Sequence, residues 1–278
     1  MTANPGRTTP VTAFAALHHA EEPLLLPNAW DCASALALAG QGFRAVATTS
    51  LGVSAVAGLP DAAAATREET LRLAFALGSA PLLLSVDAEG GFSEDPDEVA
   101  EFARELYAAG AVGINLEDGL GPAARLAAKI AAVKRAVPAL FVNARTDTHW
   151  LGDGDGNSDS ADTLSRLDAY QQAGADGVFV PGLTDPHRIA ALVRRLDVPL
   201  NVLYTPTGPP VAHLADAGAR RVSLGSLLYR RALGAALEAA ADIRAGRTPT
   251  GPAPSYTDVA GLLPSTDGAP KRAGERAR

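Results

Sequence analysis

Two carboxylates follow a buried-strand pattern in the stretch PLLLSVDAEGGF, residues 81–92. Asp87 and Glu89 are two positions apart, and in a β-strand residues two apart point to the same face of the sheet. Glu117 is the penultimate residue of a second apolar run, AVGINLED. Carboxylates that meet at neighbouring strand ends repel one another, and a hard divalent cation relieves that repulsion. We therefore predict that Asp87, Glu89 and Glu117 hold Mg²⁺ or Mn²⁺, because these ions prefer oxygen ligands.

The alternative is a structural role for these acids. Arg145 lies near the end of a third apolar run, ALFVNART, and could form ion pairs with the carboxylates, while the amides at helix N-termini could donate hydrogen bonds to them. A single arginine cannot neutralise three acids, and this favours the metal site.

Eight short apolar runs alternate with helical patterns and define the expected architecture. The runs are PLLLPNAW, RAVATTS, PLLLSVD, AVGINLED, ALFVNART, DGVFVPG, VPLNVLY and RRVSLGS. Strands that alternate with helices form right-handed βαβ units and a parallel sheet. Eight such units predict an α/β fold of the (β/α)8 TIM-barrel type, with its chemistry at the C-terminal ends of the strands. A doubly wound open sheet fits less well, because no glycine-rich nucleotide fingerprint follows the first strand.

Composition limits the classes of partner. The net charge is −7 with no long basic run before the C-terminus, which argues against nucleic acid. No apolar run approaches the roughly 18 residues that a membrane span needs. A single cysteine, Cys32, forms no intramolecular disulfide and fits a reducing, cytoplasmic location. We predict one barrel domain over residues 1–246 and a mobile C-terminal tail over residues 247–278, which is rich in Pro, Gly and charge.

Several motifs together resemble a known family. TTSLGVSAVAGLPD, LLLSVDAEGGF, AGAVGINLEDG and VNARTD stand in the order and spacing of the isocitrate lyase/phosphoenolpyruvate mutase superfamily, and YQQAGADGVFVPGLTD fits as well. The resemblance covers about residues 12 to 245. It implies a (β/α)8 barrel whose last helix is often exchanged between subunits, giving a homodimer or homotetramer. It also implies Mg²⁺, small 2-oxo or 2-hydroxy carboxylate substrates and an enolate-like intermediate.

The resemblance also assigns roles to individual residues. Asp87 resembles the direct metal ligand, while Glu89 and Glu117 resemble ligands that act directly or through water. Arg145 resembles the arginine that grips a substrate carboxylate, for which its fork of donors is suited. Asp61 resembles the acid of a mobile gate loop. The catalytic set implied in this way is Asp61, Glu117 and Arg145. The backbone of Thr49, Ser50 and Leu51 resembles the nest that holds a carboxylate or enolate oxygen of the substrate. Asn201 stands at the end of the seventh predicted strand and completes the predicted substrate-binding set with these three residues and Arg145.

The departures from the family pattern bear on the reaction. Lyases of the family carry a catalytic cysteine and a histidine in the loop after the fourth strand, and the phosphonopyruvate enzymes carry a lysine and an Asn–Ser pair there. The corresponding stretch here reads EDGLGPAARLAAK, and Gly182 stands where lyases tend to have a glutamate. The resemblance then implies a carbon–carbon lyase or decarboxylase. A mutase or phosphonopyruvate hydrolase-like enzyme, or a non-catalytic barrel with a binding role, stays open.

The histidines are secondary candidates. We expect His18 and His19 on the surface of an N-terminal helix. His149 follows the ARTD sequence near the predicted rim and is a candidate proton donor.

Overall fold

A parallel sheet curls into a nearly closed barrel in the computed structural model, which describes residues 12–151 and 160–262. Within these residues the order of strands in the sheet is β1-β9-β8-β7-β6-β5-β4-β3-β2. The strands are β1 (Leu24–Leu26), β2 (Asn28–Ala29), β3 (Ala45–Thr48), β4 (Leu83–Asp87), β5 (Ala111–Glu117), β6 (Phe141–Arg145), β7 (Gly177–Val180), β8 (Leu200–Leu203) and β9 (Arg221–Ser223). The predicted (β/α)8 architecture is confirmed.

The first of the eight predicted strands is divided in two. Pro27 lies between β1 and β2 and has no amide hydrogen to donate to a neighbouring strand. β1 pairs with β9, whereas β2 pairs with β3. The two halves of this one predicted strand therefore lie at the two edges of the sheet. The eight predicted strands correspond to nine observed ones for this reason.

Helices pack around the barrel and connect its strands. They are α1 (Ala13–Leu17), α2 (Cys32–Gly40), α3 (Ser50–Ala57), α4 (Arg67–Leu77), α5 (Pro96–Ala108), α6 (Ala123–Ala136), α7 (Ser160–Gln172), α8 (Pro186–Val193), α9 (Val211–Asp216), α10 (Leu227–Arg244) and α11 (Tyr256–Ala260). α5 shows why these segments are helical. Its Asp95 cap accepts a hydrogen bond from the amide of Asp97, Pro96 stands at the first position, and Phe102 and Leu106 lie on the buried face.

The N-terminal end of the barrel is plugged by α1. Phe14 is fully buried and packs edge-on against Phe141, with ring centroids 5.4 Å apart. His18 stacks on Phe141 at 4.2 Å and is also buried, so its predicted surface position is wrong, whereas His19 is exposed. Burial, followed by the charge of Arg221, lowers the pKa of His18 to about 3. His18 is therefore a neutral part of the plug.

The C-terminal region leaves the barrel. No residue of α10 is buried, and Leu237 and Ile243 are 64% and 65% exposed. The short helix α11 is exposed as well. Residues 263–278 of the predicted tail lie outside the described residues, so the mobility of residues 247–278 stays a prediction. None of the described helices is both long and apolar enough to cross a membrane.

Candidate active site

Strand register brings the predicted site residues to one end of the barrel. Asp87 on β4 is the ladder partner of Asn115 on β5, and Asn115 is the partner of Asn143 on β6. Glu117 and Arg145 follow two residues later and are themselves ladder partners. Because side chains alternate along a strand, all five point to the same face. The alternation of side chains along each strand, from which the site was predicted, thus also brings these residues together in the structure.

Arg145 binds two carboxylates at once. In two ion pairs, its Nη1 lies 2.7 Å from Oε2 of Glu117 and its Nη2 lies 2.6 Å from Oδ1 of Asp147, and its Nε donates a hydrogen bond to the same Oδ1 at 2.7 Å. The alternative to a metal site was that Arg145 forms ion pairs with the predicted metal ligands. The structure shows such an ion pair for one of them, Glu117. We call Asp87, Glu89, Glu117 and Asp147 the acid cluster.

Burial and neighbouring charges perturb the ionisation of two acids of the cluster, Glu117 and Asp147. Burial raises the pKa of Glu117 to about 8, the charges of Asp87, Asp147 and Glu89 add to the rise, and Arg145 opposes it. Burial also raises the pKa of Asp147, again against the pull of Arg145. The site therefore holds more negative charge than one guanidinium offsets, which is the condition that a divalent cation would relieve.

The loop between α3 and α4 holds Glu89. We call residues 60–66 the gate segment. The hydroxyl of Thr66 donates to Oε1 of Glu89 at 2.7 Å, and the amide of Ala64 donates to Oε2 at 3.2 Å. Ala64 and Glu89 both have left-handed backbones, with φ of 53° and 47°. Burial raises the pKa of Glu89, and the charge of Asp61, which lies in an exposed turn of the gate segment, adds to the rise.

The start of α3 faces Asp87. The amide of Ser50 donates to Oδ2 of Asp87 at 3.0 Å, and the amide of Asp87 donates to the hydroxyl of Thr48 at 2.9 Å. Thr49 is the N-cap of this helix and is buried, and Leu51 lies in its first turn. The predicted Thr49–Ser50–Leu51 backbone site therefore lies beside the acid cluster, and at least one of its amides already binds a carboxylate.

The donor chemistry fits Mg²⁺, but the ligands are not assembled. Among the described residues, no group of three His, Cys, Asp or Glu side chains is arranged to hold a metal as it stands. Glu89 is bound to the gate segment and Glu117 to Arg145. Mg²⁺ usually keeps several waters and binds one or two carboxylates directly. A site with Asp87 as direct ligand, and the two glutamates acting through water, therefore remains compatible with these contacts.

Asp118, Tyr170 and Arg166 lie behind the acid cluster and position Asp147, and the sequence pattern did not predict this role for them. Oδ2 of Asp118 accepts hydrogen bonds from the hydroxyl of Tyr170 at 2.7 Å and from Nη1 of Arg166 at 3.1 Å. Its Oδ1 accepts from the amide of Asp147 at 3.1 Å. Helix α7 thus fixes the backbone that presents Asp147 to Arg145. Asp118 ends the AVGINLED run, but nothing local in the sequence indicates that its partners lie about 50 residues away.

Below the acid cluster lies a polar layer inside the barrel, which we define as Asn115, Asn143, Asn201, Arg221 and Ser223. Asn143 Nδ2 donates to Asn115 Oδ1 at 2.9 Å, and Asn201 Nδ2 donates to the Ser223 hydroxyl at 3.1 Å. Asn201, predicted to bind substrate, is fully buried in this layer, and its Oδ1 has no hydrogen-bond partner.

Two separate cavities flank the strand ends. One, of about 520 Å³, lies between the gate segment and the start of α6, and Glu89, Glu117, Arg125 and Lys129 contribute to its walls. His149 lines a different cavity, of about 360 Å³, together with α7 and α8 residues. The predicted proton donor therefore does not line the cavity that contains the two glutamates.

Comparison with known proteins identifies the family. The sequence profile of the family described as phosphoenolpyruvate phosphomutase matches residues 14–244. The chain belongs to this family. A protein of Mycobacterium tuberculosis (strain ATCC 25618 / H37Rv), itself uncharacterised, is 44% identical over 238 residues, which are 84% of this chain and 90% of that protein. A lyase/mutase-type structure from Burkholderia cenocepacia J2315 has a TM-score of 0.80 and 38% identity, covering 92% of this chain and 95% of the other.

Relatives with named activities show the range of the superfamily. The 2-methylisocitrate lyase of Bacillus subtilis (strain 168) is 32% identical over 73% of this chain and 70% of its own. The superfamily also includes a phosphoenolpyruvate phosphomutase of Streptomyces platensis subsp. rosaceus, whose structure is 26% identical with a TM-score of 0.76 over 90% of this chain and 94% of that one. One solved structure, of phosphonopyruvate hydrolase, contains oxalate and Mg²⁺, at a TM-score of 0.76 and 25% identity over 90% of this chain and 93% of that one. Mg²⁺ is therefore used within the superfamily.

The raised pKa of Glu117 predicts a pH-dependent effect on stability. The usual value is 4.5 and the folded value is about 8, so folding disfavours the ionised form and stability is lost as pH rises from about 4.5 to 8. In EDTA, Glu117→Gln should leave the unfolding temperature nearly unchanged at pH 5 and raise it at pH 8. Thermal unfolding at the two pH values measures this.

The matched control is Glu101→Gln on the outer surface of the barrel, where the side chain is exposed. It should show no such divergence between pH 5 and pH 8. Equal melting shifts for Glu117→Gln at both pH values would contradict the assigned electrostatics.

Proposed function

We propose that the protein is a Mg²⁺-dependent carbon–carbon lyase or decarboxylase that acts on a small 2-oxo or 2-hydroxy carboxylate through an enolate-like intermediate. The observation that carries the proposal is the convergence of the acid cluster, Arg145 and the start of α3 at the C-terminal ends of the strands. When bound, Mg²⁺ would polarise the 2-oxo group of the substrate and stabilise negative charge on its oxygen.

Arg145 supplies the grip on the substrate carboxylate in this proposal. Its fork is now divided between Glu117 and Asp147. A substrate carboxylate replaces Glu117 at Nη1, and the bonds to Asp147 keep the guanidinium plane in place. Because both partners of Arg145 are acids, the arginine stays cationic before and after the exchange.

The gate segment controls access in this proposal. Its bonds to Glu89 join the loop directly to the acid cluster. Closing the segment over a bound substrate would exclude water from the enolate, as loops of this kind do in other enzymes. Asp61 lies on this segment and would approach the substrate only on closure.

The turn after β5 favours decarboxylation over aldol-type cleavage of isocitrates. Gly119 and Gly121 occupy this turn, and no cysteine or histidine stands between β5 and α6 to donate a proton to a leaving group. A departing CO₂ carries no proton, so loss of CO₂ from a 3-carboxy-2-oxo acid needs no general acid in its bond-breaking step. A relative from Bradyrhizobium sp. (strain BTAi1) named oxaloacetate decarboxylase is 32% identical over 60% of each chain and supports this preference.

The reaction predicts an order of substrates. With Mg²⁺, oxaloacetate or a substituted relative should be turned over faster than methylisocitrate, because a missing general acid costs about 10²–10⁴ in rate. Arg145→Lys should lower kcat/KM by at least roughly tenfold, since lysine cannot form the bidentate contact. Pyruvate release in a coupled assay measures both effects.

The control for Arg145→Lys is Arg72→Lys on α4, whose side chain is largely exposed and pairs with Glu69. It should behave as wild type. Equal or faster cleavage of methylisocitrate would show that another group acts as the acid. Turnover of phosphonopyruvate alone would favour the hydrolase alternative, and tight binding without turnover of any of the three would favour a non-catalytic barrel.

We also propose that α10 is the interface of a homodimer or homotetramer. Its Leu233, Leu237 and Ile243 are exposed, and a helix with apolar residues that no neighbour covers favours burial against another chain. Light scattering at micromolar concentration should give at least twice the mass of one chain. Leu237→Arg should reduce that mass. The control Tyr107→Arg, which changes an exposed large side chain on α5 instead of α10, should not. A wild-type monomer would contradict the proposal.

A further inference from the structure

Arg221 is a cation buried beneath the acid cluster. It is fully buried on β9, its Nη2 donates to Asn115 Oδ1 at 3.1 Å, and its Nε donates to the Ser223 hydroxyl at 3.1 Å. The third nitrogen, Nη1, is buried and has no hydrogen-bond partner. Among the described residues, no carboxylate forms an ion pair with this guanidinium.

Burying a charge without an ion-pair partner costs free energy, and a nearby opposite charge reduces that cost. For Arg221 this opposite charge lies in the acid cluster. Asn115, which binds Arg221, is the ladder partner of Asp87, and Asp87 is the carboxylate whose charge favours the protonated guanidinium. His18 lies on the other side and is neutral. Burial lowers the pKa of Arg221 to about 9, which still leaves the side chain cationic at neutral pH.

Charge counting shows what Arg221 contributes. The four acids of the cluster carry four negative charges when ionised, and Arg145 offsets one of them. A divalent cation offsets two more, and Arg221 supplies the last. A substrate carboxylate or enolate brings further negative charge into the same site, so a fixed cation below it favours the loaded state.

We propose that Arg221 is a positioning residue that provides, through the polar layer, a fixed positive field favouring binding of an anionic substrate over binding of the metal alone. This inference rests on the proposed function, because it concerns the same site. Arg221 need not touch the substrate. Its field repels a divalent cation and attracts an organic anion, so removing the charge should change the two affinities in opposite directions. A purely structural role would weaken both.

Three variants separate charge from structure. Arg221→Gln removes the charge and keeps an amide donor for Asn115. Arg221→Lys keeps the charge and loses the fork. Asn115→Asp leaves Arg221 in place but neutralises it with an adjacent carboxylate, which still accepts from Arg221 and from Asn143. The last variant pairs a buried charge instead of deleting it, so it tests the proposal even where Arg221→Gln does not fold.

Calorimetric titration of the full chain tests the proposal, first with Mg²⁺ alone and then with oxalate at saturating Mg²⁺. Arg221→Gln and Asn115→Asp should bind Mg²⁺ several-fold more tightly and oxalate roughly tenfold more weakly, and Arg221→Lys should stay near wild type. Unchanged affinities, or parallel losses in all three variants, would overturn the inference while leaving the proposed function intact. A wild type that binds neither Mg²⁺ nor oxalate would overturn both.

Discussion

Confinement of like charges at one end of a barrel is the constraint on which the rest of this structure depends. Parallel strands end together, so acids placed at the ends of β4, β5 and β6 meet whether or not the chain can neutralise them. Burial, together with the charges of neighbouring acids, raises the pKa of Glu117 to about 8, and burial also raises the pKa values of Glu89 and Asp147. Each cation and each amide near the strand ends acts on this excess of negative charge: Arg145 from within, the Ser50 amide from α3 and the gate segment from the loop.

The same constraint links the fold to the proposed chemistry. A site that holds a surplus of carboxylates receives a divalent cation readily, and a cation bound there can stabilise an enolate oxygen. Asp87, Glu117 and Arg145 are the last residues of β4, β5 and β6, which keeps their separations fixed, and Glu89 and Asp147 each follow two residues after a strand end. The gate segment, by contrast, is a loop, and two hydrogen bonds join it to Glu89. In the proposed function, the strand-end charges form the rigid part of the site and this loop forms its cover.

Strand periodicity was sufficient to predict the barrel and the convergence of Asp87, Glu117 and Arg145, because both follow from alternation along apolar runs. The division of strand 1 at Pro27 could have been read from the same sequence, since a proline cannot pair on both sides. Other features depend on contacts between distant segments. Nothing near His18 in the sequence shows that its helix plugs the barrel, and nothing near Arg221 distinguishes it from Arg220, which is exposed. The hold of the gate segment on Glu89 likewise depends on a loop conformation that no local pattern encodes.

We expect the acid cluster to be a divalent-cation site organised by Asp87. Electron paramagnetic resonance of Mn²⁺ titrated into the protein tests it most directly, because free Mn²⁺ gives a strong signal that is lost on binding. The account predicts one saturable Mn²⁺ site per chain, lost in Asp87→Asn and kept in Asp95→Asn, which alters only the cap of α5. Wild-type protein that leaves millimolar Mn²⁺ free, or an Asp87→Asn variant that binds it as well as wild type, would contradict the account.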